Sequence, residues 1–250
     1  LILDVDSYKT SHSVQYPPGM VSMFSYVSSR GGRFTRTVHF GLQPILNVLE
    51  RGVSMADVEE SAEFCAAHGV PFPRAGWEYI AKDLGGQLPV RIRSLPEGTV
   101  VPAQVPSVTT ESTCPMVPWL PGWIETKLTR VWYPTTVATL SWHCKAVIRR
   151  YLELTADDPE AELPFKLHDF GARGVSSEES AALGGAAHLV NFQGSDTIVG
   201  VLLGTVVAFR ALWRVARQAE REAEGEAGAT VTLGNADAER QRALAMAQAD

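Results

Sequence analysis

Hydrophobic residues in the first third of the chain recur at two different spacings. Segments 42–49, 55–67 and 77–84 place apolar residues three or four positions apart, which predicts three helices. Segments 1–4 and 20–29 are instead rich in β-branched and aromatic residues, and a YPPG sequence separates them. We therefore expect a strand, a turn and a second strand ahead of the helices.

The middle of the chain changes from strand-like to helical spacing. Residues 89–112 alternate apolar and polar positions between proline and glycine turn signals, which predicts short antiparallel strands. Residues 119–132 and 136–153 return to helical spacing, and Pro134 predicts a break between these two helices. An acidic, proline-containing stretch at 157–164 is the expected internal boundary.

Strand and helix patterns alternate after that stretch. Residues 165–169 and 190–193 are runs of strand length, and a helix is predicted between them over 177–189. This order favours parallel pairing, with functional groups at the carboxyl ends of the strands, as in an α/β barrel. From about Thr205 the chain is rich in Ala, Glu, Arg and Gln, which indicates exposed helix or disorder. The expected organisation is a domain over 1–160, part of a barrel over 161–204 and a divergent tail over 205–250.

Composition and charge argue against several classes of protein. A net charge of -6 disfavours a general nucleic-acid surface, although a local basic pocket for phosphate is compatible with it. Cys65, Cys114 and Cys144 form no CxxC pair, so neither disulfides nor a cysteine zinc site is indicated, and we expect a cytoplasmic protein. The apolar run 198–209 is well short of the roughly 20 residues that span a bilayer. Because the first residue is Leu1 rather than Met, we expect a clipped N-terminus.

Two sequences within the predicted barrel segment, residues 161–204, carry distinctive side chains: HDFGARGVSS and HLVNFQGSD. Phe170 follows a predicted strand, and the pattern favours core packing over stacking on a planar ligand. Arg173 precedes a helix start that Ser176 and Glu179 would cap as an S-x-x-E box, so it either binds an anion there or pairs with a structural carboxylate. Asp196 precedes an apolar helix, and its position favours an N-cap.

These two sequences, together with DSYK at residues 6–9, resemble the nicotinamide phosphoribosyltransferase family. The segments QYPPG, FGLQPILN, PEGTVVP and WYPTTVAT also occur in the order of the family, and the resemblance extends to about residue 204. It implies an α/β fold, with an N-terminal α+β domain followed by the first part of an irregular α/β barrel of the type II phosphoribosyltransferase kind. It also implies a pentosyltransferase that forms nicotinamide mononucleotide and pyrophosphate from nicotinamide and 5-phosphoribosyl 1-pyrophosphate, in NAD salvage.

The resemblance assigns three residues to nicotinamide. Phe170 would stack on one face of the ring, and Tyr8 would cover the other face from the partner subunit of a homodimer. Asp196 would accept a hydrogen bond from the carboxamide and repel the carboxylate of nicotinate. No covalent nucleophile is required, so no catalytic residue is assigned.

The resemblance also implies a phosphate side of the site. Arg173 would bind a phosphate group, Arg30 would reach it across the dimer interface, and Asp6 would lie near the same cross-subunit pocket. Mg²⁺ is expected to accompany the phosphoribosyl pyrophosphate, with no metal ligands in the chain itself. ATP is a further cofactor of the family, although its PAAEHS-type segment with a phosphorylatable histidine has no match here.

The resemblance fails in the tail. The acidic residues that hold the ribose and the Gly-rich phosphate loop of the family also have no match in this chain. The sequence therefore predicts a truncated nicotinamide phosphoribosyltransferase. The alternative is a catalytically inactive fragment that acts as a ligand-binding or subunit-pairing module.

Overall fold

Helices and short strands alternate along residues 1–205, the part of the chain that the computed structural model describes. The α-helices are α1 (Tyr8–His12), α2 (Leu42–Leu49), α3 (Met55–His68), α4 (Arg74–Asp83), α5 (Leu120–Thr129), α6 (Trp132–Thr155), α7 (Pro159–Glu162) and α8 (Glu178–His188). The strands are β1 (Phe24–Ser28), β2 (Arg36–Val38), β3 (Val90–Ser94), β4 (Val100–Pro102) and β5 (Pro106–Ser112), and two 3-10 turns cover Leu163–Phe165 and Gly171–Gly174. The first three predicted helices are confirmed as α2, α3 and α4.

The strands form two small antiparallel sheets. In the first sheet, β5 is central and pairs with β1 on one side and β3 on the other. In the second sheet, β2 pairs with β4. The antiparallel strands predicted over 89–112 are therefore confirmed, and the strand predicted over 20–29 is present as β1.

Three tryptophans lie in the main hydrophobic core. Trp77 on α4, Trp119 just before α5 and Trp123 on α5 have ring centroids 5.2–5.5 Å apart, in tilted and edge-to-face arrangements. Aromatic pairs of this kind add about 0.5–1.5 kcal/mol to the stabilisation from burial alone. Trp123 also donates its indole N–H to the carbonyl of Ile2 at 3.0 Å. The core therefore holds the first residues of the chain as well as the surrounding helices.

The strand predicted over residues 1–4 is wrong. Ile2 is buried, as the apolar pattern indicates, but side chains bind the backbone groups that a strand would offer to a neighbour. Its carbonyl accepts from Trp123, and the carbonyl of Asp4 accepts from Nζ of Lys127 at 2.9 Å. The apolar spacing correctly indicates that Ile2 is buried, but it does not show which groups form hydrogen bonds with the backbone carbonyls.

The break predicted at Pro134 is also wrong, because the two helices separate earlier. α5 ends at Thr129 and α6 begins at Trp132. Pro134 therefore lies in the first turn of α6, where backbone N–H groups have no partner within the helix. Proline is tolerated at such a position, so it marks the start of a helix rather than an interruption.

The strands predicted over 165–169 and 190–193 do not form. Side chains again take the backbone groups: the carbonyl of Leu167 is bound by His188 Nε2, and that of Asn191 by Lys145 Nζ. Within residues 1–205, the expected parallel pairing is reduced to one bridge between Asp169 and Ser195. The helix predicted between the two strands is confirmed as α8.

Leu1–Gly204 forms one compact unit of mixed α/β class, as predicted. The domain boundary near residue 160 stays a prediction. The predicted tail over 205–250 lies, after Thr205, outside the described residues. No helix in the described part of the chain is both long enough and apolar enough to cross a membrane.

Candidate functional site

Asp169 connects the two loops that carry the predicted site residues. Its carbonyl accepts from the backbone N–H of Asp196 at 2.8 Å, next to the parallel bridge with Ser195. Its Oδ1 accepts from the backbone N–H of Gly171 at 3.2 Å, which turns the chain immediately after Phe170. The main-chain contact therefore fixes the two loops relative to each other, and the carboxylate of Asp169 shapes the turn within its own loop.

His168, Phe170 and Asp196 form one open cluster at this bridge. Nδ1 of His168 lies 3.2 Å from Oδ2 of Asp196, and the rings of His168 and Phe170 lie 6.3 Å apart with an interplanar angle of 25°. Residues 168 and 170 share a side because alternate residues of an extended segment face the same way. Phe170 is 68% exposed, so the core-packing role that the pattern favoured is wrong. The cluster presents an aromatic ring at one end and a carboxylate at the other.

The carboxylate of Asp196 has one oxygen bound to His168. An ionised carboxylate can only accept hydrogen bonds, so Nδ1 of His168 carries the proton between them. The side chain of Asp196 is about half exposed. Asp196 does not take the expected N-cap role, because the helical segment begins at Ile198, one residue further on, and no hydrogen bond joins the Asp196 carboxylate to a backbone N–H in the described part of the chain. Its Oδ1 therefore remains for a ligand.

Glycines allow close packing behind the cluster. A Cβ atom at Gly194 would lie 2.4 Å from Cδ2 of His168, so the imidazole ring rests on the backbone at this position. A Cβ atom at Gly200 would lie 2.6 Å from Cα of Gly185 in α8. The helical residues that follow Thr197 therefore contact α8 backbone to backbone, and a side chain at either glycine would displace the cluster.

Arg173 lies in the second 3-10 turn, ahead of α8, and its side chain is exposed. It forms no ion pair with the residues that the structure describes, so the alternative of a structural carboxylate partner finds no support there. The predicted cap at Ser176, with its Glu179 partner, is wrong by one residue. Ser177 has the extended backbone that a cap requires, and its Oγ accepts from the N–H of Ser180 at 3.1 Å.

Ion pairs with α5 and with Arg130, the residue that follows it, lie on both sides of the phenol-bearing part of the DSYK segment, at Asp4 and at Lys9. Asp4 accepts two hydrogen bonds of 2.6 Å from Arg130, and Nζ of Lys127 lies 2.8 Å from its Oδ2. The bond from Arg130 is the largest cause that lowers the pKa of Asp4 to about 2, and Lys127 adds to it against the opposing effect of burial. At the other side of the segment, the buried Lys9 pairs with Glu125.

Asp6 and Tyr8 lie between these ion pairs. Oδ2 of Asp6 accepts from Oγ1 of Thr126 at 3.2 Å. Tyr8 is 56% exposed, and its ring centroid lies 5.4 Å from that of His12. Among residues 1–205, no hydrogen bond, ion pair or ring contact joins Asp6 or Tyr8 to the cluster around Asp196. The exposed phenol is accessible to another polypeptide chain.

Arg30 lies elsewhere, at a cavity of about 830 Å³ bounded by β1, β2 and the first turns of α6. The cavity is lined by a second cation, Arg33, and by the rings of Phe34 and Trp132. No contact among the described residues joins Arg30 to Arg173. The role of Arg30 at a phosphate across a subunit interface stays a prediction.

His168 and Asp169 have no predicted role from the sequence, yet both shape the cluster. The signal for His168 is its spacing of two from Phe170, which places both rings on one side of an extended segment. Asp169 gave no such signal, because it acts through its main-chain carbonyl and through a bond to a backbone N–H.

Residues 1–205 contain no group of three or more His, Cys, Asp or Glu side chains arranged to hold a metal ion. These residues therefore do not fit a resident Mg²⁺ site. The Mg²⁺ implied by the resemblance, as a companion of a pyrophosphate group whose oxygens it prefers as ligands, stays a prediction.

Comparison with known proteins supports the same family. A model of the nicotinamide phosphoribosyltransferase N-terminal domain matches residues 1–92. A model of the nicotinate phosphoribosyltransferase (NAPRTase) family matches residues 165–236. The second match contains the cluster and extends past residue 204, where the resemblance was expected to stop.

Two relatives named nicotinamide phosphoribosyltransferase align with most of the chain. The one from Xanthomonas campestris pv. campestris is 57% identical over 204 residues, which are 81% of this chain and 44% of the relative. The one from Mycoplasma pneumoniae is 31% identical over 228 residues, covering 80% of this chain and 49% of the relative. The chain thus spans a little under half the length of these curated relatives.

The crystal structure of human nicotinic acid phosphoribosyltransferase shares the fold. It superposes with a TM-score of 0.53 at 20% identity, over 78% of this chain and 36% of the human one. The predicted fold class is therefore confirmed, although the individual barrel strands are not formed as expected. Over about four fifths of its length, the chain is therefore similar in sequence to a relative named nicotinamide phosphoribosyltransferase, and its first 92 residues match that family's N-terminal domain.

Proposed function

We propose that this chain carries the nicotinamide-binding side of a nicotinamide phosphoribosyltransferase. Such an enzyme bonds the ring nitrogen of nicotinamide to the anomeric carbon of 5-phosphoribosyl 1-pyrophosphate and releases pyrophosphate, which serves NAD salvage. The observation that carries the proposal is the open cluster of His168, Phe170 and Asp196, fixed by the Asp169 bridge. Orienting the ring for in-line attack is the main contribution this half of a site can make.

Asp196 would select the amide over the acid. Its Oδ2 is bound to His168, and its Oδ1 would accept a hydrogen bond from the carboxamide N–H of nicotinamide. Nicotinate would instead bring a second negative charge to the same place. The names of the relatives favour nicotinamide, and the carboxylate gives a physical reason for that preference.

Phe170 would stack on the pyridine ring. Its exposed ring face has the size and polarity for a flat heterocycle, and offset stacking of such rings is favourable. Tyr8, exposed on a segment that ion pairs hold to α5, would close the opposite face from a second subunit. This arrangement makes the active form a homodimer.

The phosphate side would use the two exposed arginines. Arg173 would bind the phosphoribosyl phosphate ahead of the α8 N-terminus, and Arg30 would reach it from the partner subunit, with Asp6 beside the shared pocket. Guanidinium groups suit this role because they bind phosphate oxygens in a bidentate manner. Mg²⁺ would bind together with the pyrophosphate group of the substrate, and ATP would be a further cofactor, as in the family. We expect the protein in the reducing cytoplasm.

Replacement of Asp196 by Asn tests the amide selection. At a half-exposed site, the like-charge penalty against nicotinate is about 1–2 kcal/mol, so the variant should reduce the preference for nicotinamide roughly tenfold. Equilibrium binding of both ligands to the 250-residue chain, measured by isothermal titration calorimetry, gives the ratio of dissociation constants. The control is Asp157→Asn, which removes the same charge from an exposed position outside the cluster. An unchanged ratio in Asp196→Asn would contradict the assignment.

Replacement of Phe170 by Ala tests the stacking. We expect nicotinamide binding to weaken by about 1–3 kcal/mol, with pyrophosphate binding unaffected, because the ring contacts only the heterocycle. The melting temperature should stay within about 1 °C of the wild type, since an exposed side chain contributes little to the core. Equal losses for nicotinamide and pyrophosphate would show that Phe170 acts by supporting the loop.

A further inference from the structure

His168 contacts Asp196 in the cluster but has no assigned contact with the ligand. Its Nδ1 lies 3.2 Å from Oδ2 of Asp196, and both side chains are partly exposed. The imidazole ring is also supported from behind, because a Cβ atom at Gly194 would lie 2.5 Å from its Nε2. The position of the ring and its bond to the carboxylate are therefore fixed by the fold.

The second ring nitrogen, Nε2, is available for a further proton. Because Nδ1 donates to the carboxylate of Asp196, Nε2 of the neutral ring is an acceptor. Within residues 1–205, Nε2 forms no hydrogen bond. The side chain is 41% exposed, so Nε2 can take a proton from water without breaking the bond to Asp196. His168 can thus change its charge while the geometry of the pair persists.

Asp196 is the charged group that a proton on His168 affects most directly. Among the described residues, it alone lies within ion-pair distance of the imidazole. Arg173, in the turn that follows Phe170, forms no ion pair with residues 1–205. The other titratable groups close by in the chain or behind the loop have different partners: Lys166 pairs with Glu162, Asp169 accepts from the N–H of Gly171, and His188 contacts Ser141 and the carbonyl of Leu167.

We propose that His168 is a positioning residue that sets, through Asp196, how strongly the site prefers an amide to an acid. The inference rests on the proposed selection of nicotinamide by Asp196. When His168 is neutral, the pair carries one negative charge, which repels the carboxylate of nicotinate. When His168 is protonated, the pair has no net charge and this repulsion falls, whereas the uncharged carboxamide is little affected. The site therefore accepts pyridine carboxylates more readily as the pH falls.

The relevant pH range is accessible to experiment. Histidine is the side chain whose ordinary charge change falls between about pH 5 and pH 8. A carboxyl group in water is ionised well below that range, so nicotinate keeps its charge down to about pH 6. A change from about pH 8.5 to about pH 6 therefore alters the charge of an imidazole but not the charges of the two ligands.

Isothermal titration calorimetry with the 250-residue chain tests the inference at these two pH values. The preference for nicotinamide over nicotinate should fall about threefold towards the lower pH, since a partly exposed positive charge offsets only part of the repulsion from Asp196. His168→Asn retains an N–H donor close to the position of Nδ1 but cannot change its charge. Its preference should match that of the wild type at the higher pH and should be the same at both pH values.

His68→Asn is the matched control. His68 is an exposed histidine on α3 whose ring centroid lies 6.0 Å from that of Phe64, so it too lies beside a phenylalanine but outside the cluster. This variant should keep the pH dependence of the wild type.

A second measurement needs no substitution. If the imidazolium favours nicotinate, nicotinate favours the imidazolium by the same factor, because the coupling is reciprocal. Calorimetry at about pH 7 in buffers of different ionisation enthalpy should therefore show that nicotinate binding takes up a fraction of a proton, whereas nicotinamide binding takes up almost none.

A wild-type preference that is the same at both pH values, or an equal pH dependence in the wild type and His168→Asn, would overturn the inference. If Asp196→Asn still reduces the preference in that case, the proposed role of Asp196 stands and only the role of His168 is wrong. An Asp196→Asn chain with the full wild-type preference, or a wild-type chain that binds neither ligand, would overturn the proposed function and this inference with it.

Discussion

Gly200→Ala should separate the two helices that support the candidate site. The added Cβ would lie 2.6 Å from Cα of Gly185, 2.8 Å from its carbonyl carbon and 3.0 Å from the backbone nitrogen of Ala186. All three are main-chain atoms, so α8 itself has to move, because no flexible side chain can rotate away. Overpacking of a close contact costs about 1–3 kcal/mol.

Gly204→Ala is the matched control within the same helical segment. Its Cβ would lie 3.9 Å from Cδ1 of Leu189, an ordinary van der Waals contact. Both variants gain the same helix propensity, about 0.5–1 kcal/mol for Ala over Gly, so that gain cancels in their comparison. The difference between them isolates the steric cost, which we set at about 2 kcal/mol for Gly200→Ala.

Thermal unfolding followed by circular dichroism measures this difference. For a chain of this size, about 2 kcal/mol corresponds to a difference of roughly 4–8 °C in Tm, with Gly200→Ala lower. Nicotinamide affinity should fall in the same variant, since the displaced segment begins at Thr197, next to Asp196. Equal Tm values for Gly200→Ala and Gly204→Ala would refute the backbone-to-backbone contact.

Two further predictions concern stability away from the cluster. The pKa of Asp4 is lowered from 3.8 to about 2 in the folded chain, so its pairing with Arg130 stabilises the fold above about pH 4 and is lost as the pH falls towards 2. Because Asp4 is partly exposed, we reduce this contribution to about 1 kcal/mol. Urea unfolding between pH 5 and pH 2 should show a midpoint that falls less steeply with pH in Asp4→Asn than in the wild type. Equal pH dependence in the two proteins would show that the pair contributes nothing to stability. Glu97 accepts from the N–H groups of Gly41 at 2.7 Å and Gln43 at 3.1 Å, so Glu97→Ala should destabilise the fold by about 1–3 kcal/mol in chemical unfolding. Glu97→Gln keeps one acceptor oxygen, so it should lower the free energy of unfolding less than Glu97→Ala. Equal losses in the two variants would argue against the two hydrogen bonds.

The sequence predicted the helices and the antiparallel strands of the first part well. Their signal is local: apolar spacing over 42–49 or alternation over 89–112 depends on neighbours a few positions away. The failures have a common physical cause. At Ile2, Leu167 and Asn191, a side chain from a distant segment binds the backbone carbonyl that a strand would have used, and no local pattern records such a partner.

The candidate site was predicted in part. The motif residues Phe170 and Asp196 do lie in one cluster with His168, but the tie between their loops is a contact between Asp169 and residues 195–196. The sequence also could not show that Arg30 and Tyr8 lie apart from that cluster within one chain. Their assignment depends on a second subunit, which is information that spacing along a single sequence does not contain.

At the bridge between Asp169 and Ser195, the main chain and the side chains have separate roles. The N–H of Asp196 holds the loop in place by binding the carbonyl of Asp169, while the half-exposed carboxylate of the same residue is the group proposed to bind the ligand. Any amino acid except proline offers that N–H, so residue 196 can change its side chain without releasing the loop. Under the proposed role of Asp196, substrate preference would therefore diverge by a single substitution on an unchanged scaffold, which is a short evolutionary route between enzymes for an amide and enzymes for the corresponding acid.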